Sequence, residues 1–171
     1  ETDIMMPFPT FVKRGLDKAK ALDVGIIAPS HGPIYRNPKR IMRAYEEWAV
    51  GPLKPKAVVI YVSMWGSTEA LEKAITEALS AEGIETIPHN LLVSDVTHIA
   101  RDLVDASAIL IGSPTFVNGP HPLASLAVEL IWVLKPRARL LAIFGSYGWS
   151  GGAVSQIKNR LQQAGFEIVD T

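Results

Sequence analysis

Residues 57–68 read AVVIYVSMWGST. The first six letters form an apolar, largely β-branched run, which is typical of a parallel strand that helices cover on both faces. The last six form a polar turn, and residues 68–81 then place apolar side chains at helical spacing before Gly83. A buried strand, a turn and a helix in this order predict the first unit of a parallel α/β sheet.

The alternation of strand and helix continues to the end of the chain. The periodicity predicts further strands at 84–89, 108–112, 140–145 and 166–170, and further helices at 94–105, 122–134 and 150–164. The first, third and fourth strands are apolar at nearly every position, whereas the second and fifth carry charged residues that suit sheet edges. We therefore expect a doubly wound α/β sheet of order 2-1-3-4-5, the flavodoxin-like fold, over residues 57–171. A complete fold of this kind has one more helix, so its last helix is expected to be lacking.

Residues 1–50 show a different pattern. Helices are predicted at 9–22 and from Asn37, an N-cap followed by proline, to residue 49. A short apolar run at 24–28 indicates a strand. One strand and two helices cannot enclose a core, so this part is expected to be the tail of a larger domain. Residues 51–56, with two prolines and a glycine, are the predicted linker.

Composition excludes several classes of protein. The chain of 171 residues holds 17 Lys and Arg against 17 Asp and Glu, and a neutral chain is not expected to bind nucleic acid as its main partner. Cysteine is absent, which excludes disulfides, thiolate metal sites and a cysteine nucleophile. No apolar stretch is long enough for a bilayer and no leader is visible, so we expect a cytoplasmic protein with no membrane partner.

Three loops leave the same edge of the predicted sheet, where open α/β sheets bind ligands. The first loop offers hydroxyl groups and a helix N-terminus, both suited to an anion, and no Lys or Arg. It lacks the Gly-Lys-Ser/Thr ending of a triphosphate loop and the GxGxxG of a dinucleotide fold, which favours a single terminal phosphate. An ordinary Ser/Thr-capped turn is the alternative. The candidate residues of this loop are Ser63, Met64, Trp65, Gly66, Ser67 and Thr68.

The second and third loops, residues 113–122 and 145–152, are rich in glycine, proline and aromatic residues. Glycines permit close approach to a flat ligand, and aromatic rings provide faces for stacking. Alternatively, Trp149 packs a local turn. Together the three loops predict a site for flavin mononucleotide (FMN). The candidate residues of these two loops are Pro114, Thr115, Phe116, Asn118, Gly119, Ser146, Tyr147, Gly148, Trp149, Gly151 and Gly152.

Residues 57–170 resemble flavodoxin domains, and most closely those of the flavodiiron proteins, or A-type flavoproteins. SMWGSTE at 63–69, GSPT at 112–115 and GSYGWSGGA at 145–153 are similar to that family's three flavin loops. DIMMP at 3–7 and APSHGP at 28–33 resemble the end of the family's metallo-β-lactamase-like αββα domain. By this resemblance, His31 would be the last iron-binding histidine.

The resemblance implies an enzyme that reduces O₂ to water, NO to N₂O, or both, at a diiron centre. FMN would collect electrons from a rubredoxin-like protein, a deazaflavin or a nicotinamide-dependent reductase, and the enzyme would be a head-to-tail homodimer. The family's H-x-E-x-D-H motif is absent from this chain. We therefore expect an electron-transfer module without catalytic acid or base residues, whose diiron site lies mostly outside the chain. His89 and His98 are expected at the surface, and a structural role is expected for His121.

Three other functions remain open. A flavodoxin-fold NAD(P)H:quinone reductase has no use for residues 1–50, and a free-standing flavodoxin carrier is usually acidic. A metallo-hydrolase fragment rests on His31 alone.

The helix at 122–134 is apolar around its whole circumference, which indicates that one face packs against a second subunit or another domain. Trp132 is the candidate interface residue.

Overall fold

The computed structural model describes residues 5–171, so residues 3 and 4 of the DIMMP motif lie outside the described range. The chain divides after Pro52 into two compact units. No helix within the described range is long and apolar enough to cross a lipid bilayer.

The first unit is built on two packed helices, α1 (Pro9–Lys20) and α2 (Pro38–Val50). The side chain of Asn37 accepts a hydrogen bond from the Arg40 amide and caps α2, as the sequence predicts. Lys20 of α1 and Glu46 of α2 form an ion pair at 2.7 Å. The strand expected at 24–28 is absent from this described segment. A single antiparallel bridge joins Ile27 to Tyr35, because the Pro-Ser-His-Gly-Pro stretch between them interrupts regular pairing.

The second unit is an α/β sheet with helices packed against it. Its strands are β1 (Lys54–Tyr61), β2 (Glu85–Asn90), β3 (Ala106–Phe116), β4 (Gly119–Pro120), β5 (Leu140–Ser146) and β6 (Ile168–Asp170). Its helices are α3 (Ser67–Ala81), α4 (Val96–Asp102), α5 (Pro122–Leu134) and α6 (Ala153–Gln163). The parallel strands lie in the order β2-β1-β3-β5-β6, and the short β4 pairs antiparallel with β3. With β4 set aside, this confirms the predicted order 2-1-3-4-5.

The core lies around the central strands. In β1, Ala57, Val58, Val59 and Ile60 are fully buried, and β3 and β5 contribute Ile109, Ile111, Leu141 and Ile143 to the same core. These strands are apolar at consecutive positions because helices cover both faces of the sheet. The three strands predicted as central are thus the central ones.

Two strands, β1 and β3, extend by three or more residues beyond one of their predicted limits. β1 begins at Lys54, inside the segment predicted as linker, because the Lys54 amide donates to the Asp105 carbonyl at 2.8 Å and both Lys54 and Lys56 pair with the Asp105 carboxylate. β3 continues to Phe116, four residues beyond its predicted end, because the chain turns back after Phe116 and β4 pairs antiparallel with the end of β3. Part of the second predicted loop is therefore a β-hairpin.

Helix α5 contacts α6 through the side chains of Glu129 and Trp132. Arg160 of α6 forms two hydrogen bonds with Glu129, and its guanidinium lies 4.5 Å from the centre of the Trp132 ring. This corrects the expectation that Trp132 lies on the free face of the helix. The exposed apolar residues are Leu126 and Val133, whose exposed fractions are 54% and 56%.

His89 is buried, contrary to the surface position expected from sequence. Its Nε2 lies 3.0 Å from the carboxylate of Asp102, which also accepts two hydrogen bonds from the Arg101 guanidinium. Burial lowers the pKa of His89 below 6.5, although the hydrogen bond to Asp102 acts in the opposite direction. His98, on the same helix as Asp102, is exposed as expected.

We predict that the buried His89 makes the chain less stable in mild acid. Because its pKa is lower in the folded chain than in the unfolded chain, the unfolded state binds the proton more readily, and the free energy of unfolding falls as pH drops below about 6.5. His89→Gln keeps a donor for Asp102 and does not titrate, so it should reduce this pH dependence. Thermal unfolding at pH 7.5 and 5.5 measures it.

His98→Gln is the matched control, since His98 is exposed and its charge is the smallest contribution to the lowered pKa of His89, and it should keep most of the wild-type pH dependence. An equal pH dependence in wild type and His89→Gln would contradict the prediction.

Candidate functional site

The candidate site lies at the carboxyl edge of the sheet, where β1 pairs with β2 on one side and β3 on the other. A cleft of about 600 Å³ opens there between the loop after β1, the β3–β4 hairpin and the loop after β5. This is the position at which open α/β sheets hold their ligands, since the helices on either side diverge from it. The three loops singled out in the sequence thus meet at one site.

Most of the sequence-predicted site residues line this cleft directly. They are Met64, Trp65, Ser67, Pro114, Thr115, Phe116, Asn118, Ser146, Tyr147, Gly148 and Trp149. Val117 and Ser150 also line the cleft and were not predicted. The predicted residues that stand outside its lining are Ser63, Gly66, Thr68, Gly119, Gly151 and Gly152.

The first loop is shaped by Gly66. Its backbone is left-handed, with φ of +88°, and its amide donates to the Ser63 hydroxyl at 3.1 Å. This turn starts α3 at Ser67, which lines the cleft beside the amides of the first helical turn, whose N–H groups have no partner within the helix. The loop therefore presents hydroxyl and amide donors at a positive helix end.

Charged side chains are absent from residues 63–68, 113–122 and 145–152. The first charged residue of α3 is Glu69, which pairs with Lys73 at 2.8 Å and raises the pKa of that lysine. An anion bound at this helix end would therefore be held by amides and hydroxyls rather than by a cationic side chain.

The hairpin and the third loop are fastened to each other. The Thr115 hydroxyl accepts hydrogen bonds from the amides of Gly152 and Ala153 at 3.3 and 3.4 Å, which caps α6. The Ser150 hydroxyl donates to the Asn118 side chain at 2.9 Å. A Cβ on Gly152 would collide with the Asn118 carbonyl, so glycine allows this close approach. Through these contacts, Thr115, Asn118 and Gly152 hold the hairpin and the third loop together.

His121 serves the fold, as expected. Its Nδ1 accepts a hydrogen bond from the Leu123 amide at 3.2 Å and caps α5. Its ring lies 5.9 Å from that of Phe116, which borders the cleft.

Large aromatic side chains stand exposed around the cleft. The exposed fractions are 89% for Trp65, 93% for Trp149 and 69% for Tyr147. A flat ligand lying between such rings would remove apolar surface from water, which stabilises by about 25 cal/mol per Å² buried. The site therefore fits an elongated ligand with an anion at one end and an aromatic ring system at the other.

His31, the predicted metal ligand, lies exposed in the loop between α1 and α2. Within residues 5–171, no group of three or more His, Cys, Asp or Glu side chains is arranged to hold a metal ion. In the described part of the chain, His31 therefore belongs to no such group.

Residues 59–171 match the flavodoxin family. The chain is 39% identical over 170 residues to a nitric oxide reductase of Moorella thermoacetica, and the match covers 98% of this chain and 43% of that protein.

Two solved structures share the fold. Rubredoxin oxygen:oxidoreductase from Desulfovibrio gigas matches with a TM-score of 0.87 and 28% identity, over 96% of this chain and 43% of that one. The flavodiiron protein from Giardia intestinalis matches with a TM-score of 0.88 and 26% identity, over 95% of this chain and 41% of that one. The chain therefore spans less than half the length of these relatives. It belongs to the flavodoxin family and corresponds to the flavodoxin-like part of the flavodiiron proteins, together with the segment that precedes it.

Proposed function

We propose that this chain is the FMN-binding electron-transfer module of a flavodiiron oxidoreductase that reduces O₂ to water, NO to N₂O, or both. The observation that carries the proposal is the convergence on one cleft of a hydroxyl-bearing helix N-terminus, preceded by a loop without charged side chains, and three exposed aromatic side chains. Most of the diiron site would lie outside this chain. The family resemblance assigns one iron ligand, His31, to the chain itself.

The residues of the cleft divide the work of binding between its two ends. Ser67 and the amides of the first turn of α3 would hold the phosphate. Trp65, Tyr147 and Trp149 would border the ring system and exclude water from it. Bound FMN would supply the electron-carrying chemistry, while the protein sets its position and hydrogen bonding. No side chain of the cleft is required as a general acid or base.

Sequence identity outside the flavodoxin-like unit favours this proposal over a quinone reductase or a free flavodoxin carrier. The match to the nitric oxide reductase covers 98% of the chain and so includes most of residues 1–50. We interpret that segment as the tail of a metallo-β-lactamase-like domain. Its exposed apolar side chains support this interpretation, because they are typical of a piece that packs against more protein: Phe8, Phe11, Leu22, Ile26 and Ile34.

The electron donor and the assembly follow from the same proposal. Relatives include a rubredoxin oxygen:oxidoreductase, so a rubredoxin-like protein is our first candidate donor. We further propose a head-to-tail homodimer in which the exposed face of α5, with Leu126 and Val133, contributes to the interface. Such an arrangement would bring the FMN of one subunit near the diiron site of the other.

Replacing Ser67 tests whether the first loop binds phosphate. Ser67→Ala removes a charge-assisted hydrogen bond worth about 1.5–3 kcal/mol, so FMN affinity should fall by about tenfold or more. Affinity for riboflavin, which lacks the phosphate, should change little. Quenching of flavin fluorescence measures both constants.

Ser80→Ala, at the exposed far end of the same helix, is the control and should leave both affinities unchanged. Equal losses for FMN and riboflavin in Ser67→Ala would show that this residue does not contact the phosphate.

We predict that the purified chain binds less than one iron per molecule after reconstitution, because His31 belongs to no group of three or more potential ligands among the described residues. Metal analysis of wild type and of His31→Ala, which should give the same iron content, checks this. Two irons per chain would contradict the assignment of the diiron site to other residues.

The homodimer can be tested by sedimentation of the FMN-loaded chain across micromolar concentrations. Leu126→Glu and Val133→Glu should shift the protein to monomer, because each places a charge in an apolar contact. Val169→Glu, at a comparably exposed valine on β6, should have no effect. A wild-type protein that stays monomeric throughout would refute the interface.

A further inference from the structure

We propose that His121 is a positioning residue for the candidate site: its imidazole ring supports Phe116, a cleft-lining side chain whose partner across the hairpin is a glycine. This inference rests on the proposed FMN function and deepens it. It gives His121 a second role besides capping α5, because the cap uses one ring nitrogen and the support uses the ring as a whole.

Phe116 receives no support from the residue directly opposite. It is the last residue of β3, it lines the cleft, and its exposed fraction is 42%. Its register partner in β4 is Gly119, which has no side chain. Side chains that face each other across an antiparallel pair normally stabilise each other. Lateral support for the Phe116 ring therefore has to come from another residue on the same face of the hairpin.

His121 lies in the position to give that support. Residues 119 and 121 share one face of the extended chain, because successive side chains alternate between faces. Diagonal neighbours in an antiparallel pair are within reach of aromatic side chains. The ring centres of Phe116 and His121 lie 5.9 Å apart at an interplanar angle of 59°, a geometry within the range of favourable aromatic pairs. The imidazole thus takes the place of the side chain that Gly119 lacks.

The supporting residue is itself fixed to buried parts of the fold. The His121 amide donates to the Ser113 hydroxyl at 3.0 Å, and Ser113 is fully buried and donates in turn to the Pro114 carbonyl at 2.8 Å. Nδ1 of His121 accepts from the Leu123 amide at 3.2 Å. A binding-site side chain is held more precisely when the residue behind it belongs to rigid elements. Phe116 is therefore connected through His121 to the end of β3 and the first turn of α5.

Support of Phe116 matters because this side chain belongs to the hairpin wall of the cleft. Without the imidazole, the Phe116 ring would sample more orientations, and a ligand would have to order it on binding. The proposed phosphate contacts, at Ser67 and the first turn of α3, are on the other wall. Loss of the support should therefore weaken FMN and riboflavin by the same factor.

Two substitutions of His121 separate the ring from the cap. His121→Asn removes the ring but keeps a side-chain acceptor that is among the best helix N-caps. Its affinity for FMN and for riboflavin should each fall by about two- to tenfold, the range for one aromatic pair, while its thermal unfolding temperature stays near that of wild type. His121→Phe keeps a ring and removes the acceptor. It should retain both affinities and unfold at a lower temperature, because α5 loses its cap.

A double-mutant cycle and a spectroscopic signature complete the test. In a Phe116→Leu background, His121→Asn should cause no further loss of affinity, because the ring contact is already absent. The visible circular dichroism of saturating FMN should change in His121→Asn and not in His121→Phe, which separates altered positioning from reduced stability. His98→Asn, at an exposed histidine of α4 outside the cleft lining, is the matched control and should leave both affinities unchanged.

Wild-type affinity for both flavins in His121→Asn would overturn the inference. An equal loss in His121→Phe would overturn it too, since the effect would then belong to the cap. Additive losses in the cycle, or a loss confined to FMN, would also contradict a role through Phe116. Should His121→Phe fail to fold, the cycle decides. A wild-type chain that binds no FMN refutes the proposed function instead, so the two failures are distinguishable.

Discussion

The parallel pairing of β1 with both β2 and β3 is the constraint on which the rest of the structure depends. Chain connections leave β1 in one direction and β3 in the other, so the loops that follow them diverge and leave a crevice at the carboxyl edge. The pairing requires β1 to be buried on both faces, which its uninterrupted apolar run provides. The cleft forms beside β1 because this strand is paired on both sides and is therefore not an edge strand.

Strand order and the position of the site could be predicted because both follow from burial. A central parallel strand must be apolar at successive positions, and a loop after such a strand must lie at the carboxyl edge. The hairpin after β3 could not be predicted in the same way, because Pro114 and Gly119 interrupt its pattern. The Asn118-Gly119 dipeptide was the available signal for a turn, although the turn is centred one residue earlier, on Val117 and Asn118.

Errors arose where a polar residue found a partner far away in sequence. His89 is a polar residue between Pro88 and Asn90 on an edge strand, which indicates a solvent-facing position, yet it is buried and Asp102 of α4 lies against its ring. The same applies to Trp132, because Arg160 of the following helix covers its ring. The hydrophobic periodicity of one helix or strand does not predict either partner, because it does not specify which side chains the neighbouring elements present. The hydrogen bond between Thr68 and Ser146, which are 78 residues apart, could not be predicted from periodicity for the same reason.

The tip of the β3–β4 hairpin stores conformational strain beside the cleft. Val117 and Asn118 both have positive φ, +45° and +65°. Asparagine tolerates this region, whereas a β-branched residue there is an outlier, and a left-handed backbone costs an ordinary residue about 1–2 kcal/mol. Asparagine in place of Val117 would relieve the strain, but it would also remove an apolar side chain from the mouth of the cleft. At this one position, stability of the backbone and an apolar lining of the cleft are in competition, and the chain carries the residue that favours the apolar lining.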